Sequence, residues 1–243
     1  MKFENTRYNR QLEMPQIGDE GQKLLNNFSV VSVGAGGVKS PLLYYLAAAG
    51  VGKIKIIDFD KVDLSNLNRQ ILYNMDDIGE YKAVVATKKL QQLNPEIKIE
   101  SSIKKVDPDN IEELLEGYDV ILEGGDGPEQ RMMVNKFAVE NDIPMVHVSA
   151  QYGYGYAFTR LNHSDPCLHC AFPDLPESRK GPVAVFGVAT GIAGVMGAGE
   201  VIKIALHKGE LARGYMLSSS VFQNDFYKLP VEKDPNCPVC GKL

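Results

Sequence analysis

Tryptophan is absent from this chain of 243 residues, and histidine and cysteine occur only four times each. So few cysteines, behind an N-terminus (MKFENTRYNRQ) without an apolar stretch, exclude a disulfide-stapled secreted scaffold and predict a soluble, cytoplasmic protein. No apolar run free of polar or charged residues reaches the roughly 18 positions that a membrane span requires. Positive charge is in deficit too: 26 Lys and Arg against 31 Asp and Glu leave a net charge of −5. A dedicated nucleic-acid binder would show a basic footprint, so that class is excluded. Low-complexity segments and repeats of solenoid period are also missing. What remains is 44% hydrophobic and 23% charged, long enough to bury a core without staples.

The first half alternates β-branched runs with apolar-periodic helical segments. Residues 28–33 (FSVVSV), 54–58 (IKIID), 97–103, 120–123 and 145–149 read as strands, and 38–49, 83–93, 111–115 and 129–140 as helices. Repeated strand–helix–strand order predicts a parallel sheet with right-handed crossovers, and runs as apolar as FSVVSV predict strands buried on both faces. Residues 151–161 (QYGYGYAFTRL) alternate with period two directly after a strand, which predicts an antiparallel extension. Residues 183–206 read as one helix rich in Gly and Ala; Glu200 and Lys203 near its end argue for a tightly packed or dimer-interface helix rather than a membrane span. Residues 215–219 and 222–227 read as two further short strands. The expected fold is therefore α/β, a Rossmann-like, mostly parallel sheet continued by antiparallel strands. With no linker evident, residues 1–243 read as one domain: a nucleotide-binding half, 1–150, and an antiparallel half, 151–243.

Gly34-Ala35-Gly36-Gly37 follows the first strand and opens a helix, where glycines admit a phosphate and the helix N-terminus supplies amide donors. Asp58 closes the second strand about 20 residues later, a spacing that suits a carboxylate accepting from ribose hydroxyls. The third glycine of the dinucleotide fingerprint is replaced by Lys39, expected either to touch a phosphate or to point to solvent. The loop alone does not separate NAD from ATP. Beyond it, Asp58-Phe59-Asp60, then Ser65, Asn66, Arg69 and Gln70, then Lys82, and finally Asp126 follow the ends of successive strands. An Arg, a Lys and an Asp there suit a triphosphate with magnesium better than a pyrophosphate bridge.

The cysteines fall as Cys167-x2-Cys170 and Cys237-x2-Cys240. Two such knuckles give a tetrahedral set of four thiolates, the preference of structural zinc. A closed site leaves no position for substrate, so the zinc is expected to pin the C-terminal tail. His147, His163, His169 and His207 show no pattern and are read as non-catalytic. Tyr152, Tyr154 and Tyr156 read as an ordinary strand face that would also suit an aromatic ligand.

Arg7-Tyr8-Asn9-Arg10-Gln11, Gly34-Ala35-Gly36-Gly37, Ala49-Gly50-Val51-Gly52, Asp58-Phe59-Asp60, Ser65-Asn66-Leu67-Asn68-Arg69-Gln70, Lys82, Asp126 and both cysteine pairs together resemble the ThiF/MoeB/HesA family, prokaryotic relatives of ubiquitin-activating enzymes. The resemblance runs from about residue 7 to the C-terminus. It implies adenylation of a carboxylate by ATP with release of pyrophosphate. Arg69 and Lys82 would hold the phosphates, Asp126 a magnesium ion and Asp58 the ribose, with Arg10 donated by the other subunit of a homodimer. The substrate would be the C-terminal glycine of a ubiquitin-like sulfur carrier, or else a small carboxylic acid such as guanylylpyridinol of [Fe]-hydrogenase cofactor assembly. Two departures stand out: Gly127 replaces the usual Asn, and the cysteine that thioester- or persulfide-forming members carry between the zinc pairs is missing. The acyl group would therefore pass to a thiol-bearing partner enzyme.

Two other classes compete. An NAD-dependent oxidoreductase would use the glycine loop and Asp58, but explains neither Arg69 nor Lys82. A non-catalytic zinc-stapled nucleotide-binding scaffold would have no use for Arg10, Arg69, Lys82 and Asp126, which are all present.

Overall fold

The computed structural model describes residues 7–125, 127–174, 181 and 183–242. In chain order these form α1 (Asn9–Leu12), α2 (Gly18–Asn27), β1 (Ser29–Val33), α3 (Lys39–Ala49), β2 (Lys53–Ile57), α4 (Lys82–Leu93), β3 (Lys98–Ser102) and α5 (Ile111–Leu115). There follow β4 (Val120–Glu123), α6 (Pro128–Glu140), β5 (Met145–Gln151), β6 (Tyr154–Arg160), α7 (Leu168–Ala171), α8 (Gly187–Leu206), β7 (Tyr215–Ser220) and β8 (Asp225–Pro230).

The strands join one eight-stranded sheet in the order β3-β2-β1-β4-β5-β6-β7-β8. From β3 to β5 every pairing is parallel, because a helix returns the chain to the starting edge after each strand. At β5 the chain turns back directly, and β6, β7 and β8 pair antiparallel. The β-branched run of β1 serves two cores at once. Val30 packs with α3, α4 and α8 on one face, while Val31 and Val33 pack with α5 and α6 on the other. Strand order reverses between β1 and β4, the switch point beyond whose carboxyl ends open α/β sheets bind ligands.

Helix α8 is long and apolar enough by composition to cross a bilayer, but 56% of it is buried inside this fold. Its small residues let it lie close to its neighbours. A Cβ on Gly194 would sit 2.3 Å from the Val38 carbonyl, and one on Gly197 would sit 2.4 Å from Val148. The helix starts later than its composition suggests. Tyr152 N–H donates to the Ala184 carbonyl and Phe186 N–H to the Tyr152 carbonyl, both at 2.7 Å, which holds 184–186 extended. The last strand is likewise Asp225–Pro230 rather than 222–227, because the hairpin turn extends to Asn224, at φ 53°. Helices α1 and α2 carried no sequence signal strong enough to be expected.

Candidate nucleotide and metal sites

The glycine loop is built from backbone requirements. Gly34 has φ +92°, and its N–H donates to the Ile57 carbonyl, so the chain leaves β1 in a conformation that a side chain would strain. A Cβ on Gly37 would lie 3.2 Å from Thr190 and 3.3 Å from Arg69, which places the Arg69 stem beside the loop. Gln70 is buried against Gly36, and its Oε1 has no hydrogen-bond partner. Tyr73 closes the other side, donating to the Ala35 carbonyl at 2.8 Å and reaching the Lys82 carbonyl at 3.3 Å. Burial raises the Tyr73 pKa, so the phenol stays neutral and keeps donating.

Asp58 accepts from Ala35 N–H at 2.8 Å and from Asp60 N–H at 2.9 Å. Burial pushes its carboxyl above the usual range, against the pull of those bonds and of Lys82. Asp58 thus braces the loop from the end of β2. Lys82 is the first residue of α4; its side chain is 6% exposed and its Nζ lies 3.0 Å from Asp60 Oδ2. Arg69 donates to the Ser65 carbonyl at 2.9 Å and to Asn68 Oδ1 at 3.1 Å. The Asn66 side chain is already used, since its Oδ1 accepts from Asp63 N–H in a capping box. Arg69, Gln70, Asp58, Asp60 and Lys82 all belong to the one connection from β2 to α4, rather than to successive strand ends, and this connection lies beside Gly34–Gly37. Asp126 lies outside the described residues, between Gly125 and Gly127 after β4.

Arg10 is not brought to this site by its own chain. It is exposed on α1, and the neighbouring Tyr8 packs against Gly50 and accepts from Asn94 Nδ2 at 2.8 Å. Gly50 follows the end of α3, a helix of 11 residues, so it lies about 16 Å from the glycine loop.

Lys39 neither faces a phosphate nor reaches solvent. It is fully buried, and its Nζ donates to the Glu123 carbonyl at 2.8 Å, filling the space beside Gly124. Burial pulls its ammonium down to about 7. The unfolded lysine holds its proton to about pH 10, so above pH 7 the unfolded state binds more protons and stability rises with pH. Between pH 7 and pH 9, Tm of the wild type is expected to rise relative to that of Lys39→Met. Parallel curves would show that Lys39 titrates normally.

The four cysteine sulfurs lie within 4.8 Å of one another, with Cys167 and Cys237 at 3.7 Å and Cys170 and Cys240 at 3.4 Å. Bonds of 2.3 Å to a tetrahedral zinc put sulfurs about 3.8 Å apart, so the cluster fits this metal. Helix α7 spans the first knuckle, and Val139 of α6 packs against the cluster, tying the C-terminal tail to the body. His169 Nδ1 approaches Cys237 Sγ to 3.8 Å, but the four thiolates already complete a tetrahedral set, so the imidazole is not needed as a ligand. Tyr154 and Tyr156 stack at 6.5 Å on the face of the sheet turned away from α8, but Tyr152 leaves that stripe for the turn, at φ 52°.

The sequence reading missed one buried cluster. His147, expected to be non-catalytic, contacts Glu123 through Nδ1 and Ser149 Oγ through Nε2, the latter at 2.9 Å. Arg131 lies 3.8 Å from the same carboxylate. No local pattern marks this cluster, because it exists only through the pairing of β4 with β5.

Comparison with known proteins identifies the family. The ThiF family profile matches residues 8–239. A sulfur carrier protein adenylyltransferase of Thermus thermophilus is 39% identical over 99% of this chain and 92% of its own length. A SAMP-activating enzyme E1 of Haloferax volcanii is 37% identical over 97% of this chain and 88% of its own. Crystal structures of E. coli MccB share the fold, one of them of MccB with MccA-N7isoASN at TM-score 0.87 and 23% identity, covering 99% of this chain and 76% of that one. The chain belongs to the ThiF family and is an ATP-dependent adenylyltransferase that activates a carboxylate.

Proposed function

We propose that the chain adenylates the C-terminal glycine of a ubiquitin-like sulfur carrier and passes the acyl-adenylate to a thiol-bearing partner enzyme. The observation that carries the reading is the bracketed glycine loop at the β1/β4 switch point. Gly36 and Gly37 leave a cradle, and the orphaned Gln70 Oε1 awaits a donor there, such as the adenosine moiety of ATP. Arg69 and Lys82 would hold the phosphates and meet the charge that develops on the leaving pyrophosphate, and Asp58 would hold the ribose. Asp60, Ser65 and Asn66 shape the wall between them. Asp126 is a hard carboxylate ligand for Mg2+, which would neutralise phosphate oxygens when bound. With the carboxylate itself as nucleophile, catalysis reduces to positioning and electrostatics.

Residues 1–243 act in this reading as one cytoplasmic adenylation unit, with ATP in the first half and acceptor docking in the second. The open face of β6–β8 carries Tyr154, Tyr156, Tyr227 and Leu229, an apolar platform with polar edges. The names of the relatives, a sulfur carrier adenylyltransferase and a SAMP-activating E1, support a protein acceptor.

A homodimer completes the unit. On the opposite side, an apolar cavity of about 850 Å³ is lined by Ile71, Phe186, Val188, Ile192, Val195 and Phe226. Four of these residues belong to α8 or lead into it, and Val188 is 51% exposed. A second copy covering this face would bring its own Arg10 to a site that Arg10 cannot reach within one chain.

ATP–pyrophosphate exchange across a panel tests the acceptor. Exchange is expected with a carrier ending in Gly-Gly, at least tenfold above that with guanylylpyridinol. Intact-mass analysis after the reaction should show no thiol-sensitive adduct on this chain, since its four cysteines are committed to the metal cluster. Exchange with small acids alone would sink the carrier reading.

A further inference from the structure

Three side chains that this reaction does not use form a hydrogen-bonded line beside the nucleotide site. Glu123 closes β4 and pairs in register with His147 of β5, two residues before Ser149, so all three share one face of the sheet. His147 Nδ1 meets Glu123 Oε2, and His147 Nε2 lies 2.9 Å from Ser149 Oγ. Glu123 and His147 are fully buried, whereas Ser149 is only half-buried.

The charge states fix the direction of every bond in this line. Burial holds His147 below its usual pKa, so the ring is neutral. Burial works against the Glu123 carboxylate as well, but the hydrogen bond with His147 and the charges of Arg131 and Lys39 hold it ionised. A neutral ring against a carboxylate carries its proton on Nδ1, which leaves Nε2 as an acceptor. The Ser149 hydroxyl must then donate to Nε2. A free serine donates or accepts as its surroundings require. This one has committed its only proton and turns outward nothing but oxygen lone pairs, to which no described residue donates.

Its place in the sheet tells what passes over it. The nucleotide site lies at the ends of β1 and β4, the Tyr154–Tyr156 stack lies on β6, and β5 stands between. Tyr156 is the cross-strand neighbour of Ser149. An acceptor docked on the antiparallel face therefore crosses Ser149 on its way to the glycine loop. Lone pairs repel a carboxylate or a phosphate and match an N–H.

We propose that Ser149 is a specificity-determining residue: it accepts a hydrogen bond from the backbone N–H adjoining the carboxylate to be adenylated, and so selects a peptidyl C-terminus over small acids without that donor. Glu123 and His147 are positioning residues that act through Ser149. The assignment rests on the carrier reading above.

The test uses the full chain in ATP–pyrophosphate exchange with a Gly-Gly-terminated carrier protein and its semisynthetic twin, whose last peptide N–H is replaced by an ester oxygen. One lost hydrogen bond corresponds to about tenfold, so the wild type should show kcat/KM about tenfold lower for the ester twin. Ser149→Ala should lose about tenfold on the amide carrier and nothing further on the ester. Ser149→Thr, which keeps the hydroxyl, should keep the discrimination. Equal discrimination by the wild type and Ser149→Ala overturns the proposal and leaves the carrier reading standing. Exchange with small acids but not with the amide carrier overturns both.

Discussion

Lys82→Ala is expected to cut ATP–pyrophosphate exchange by about 100-fold or more while leaving the fold intact. The Lys82 carbonyl meets the Tyr73 hydroxyl beside the glycine loop, and its ammonium, paired with Asp60, stands at the start of α4. Removing one charge aimed at a developing anion in a water-poor site costs on this scale. Folding should hardly notice, because its partner Asp60 is 47% exposed and returns to water. Arg69→Ala and Asp126→Ala should have comparable effects on exchange. Arg10→Ala should match them, although Arg10 lies at the far end of α3 in its own chain. Mixing Arg10→Ala with Lys82→Ala then gives heterodimers with one intact site, and random exchange in a two-fold dimer restores roughly a quarter of the activity. No recovery, with subunit exchange confirmed by mass, would show that Arg10 is not supplied in trans.

Loss of the metal should produce the second large effect. Cys237→Ser, or treatment with a strong chelator, is expected to lower Tm by roughly 10 °C and to expose the tail after β8 to protease. Binding energy at a structural zinc is folding energy, and a loss of a few kcal/mol shifts a chain of this size by that much. The tail depends on the cluster: Cys237 and Cys240 are its buried residues, packed on Val139, while β8 is largely exposed. Burial also pushes the Cys167 thiol up to about 11. Without metal this thiol is protonated, and metal uptake there must release its proton. Elemental analysis should find one zinc per chain. A metal-free protein with the Tm of the loaded form would remove the structural role.

The sequence by itself determined the parallel half, the glycine loop and the knuckles. Each is written in a short window: β-branched runs between helices, a glycine run at a strand end, and C-x2-C pairs. The expectation that Asp58, Arg69 and Lys82 follow successive strand ends was not met: all three belong to the one connection between β2 and α4, which folds back beside the glycine loop. Tertiary structure decided the rest. Lys39 could be placed only once its neighbour was known, because its burial depends on the gap between α3 and β4. The late start of α8 came from the backbone pairing of 184–186 with Tyr152, a contact with no local signature. Glu123, His147 and Ser149 became a line only through the β4–β5 register, which no single segment encodes. Hydrophobic periodicity is a property of neighbours in sequence, whereas a buried polar side chain is defined by the partners that long-range pairing brings to it.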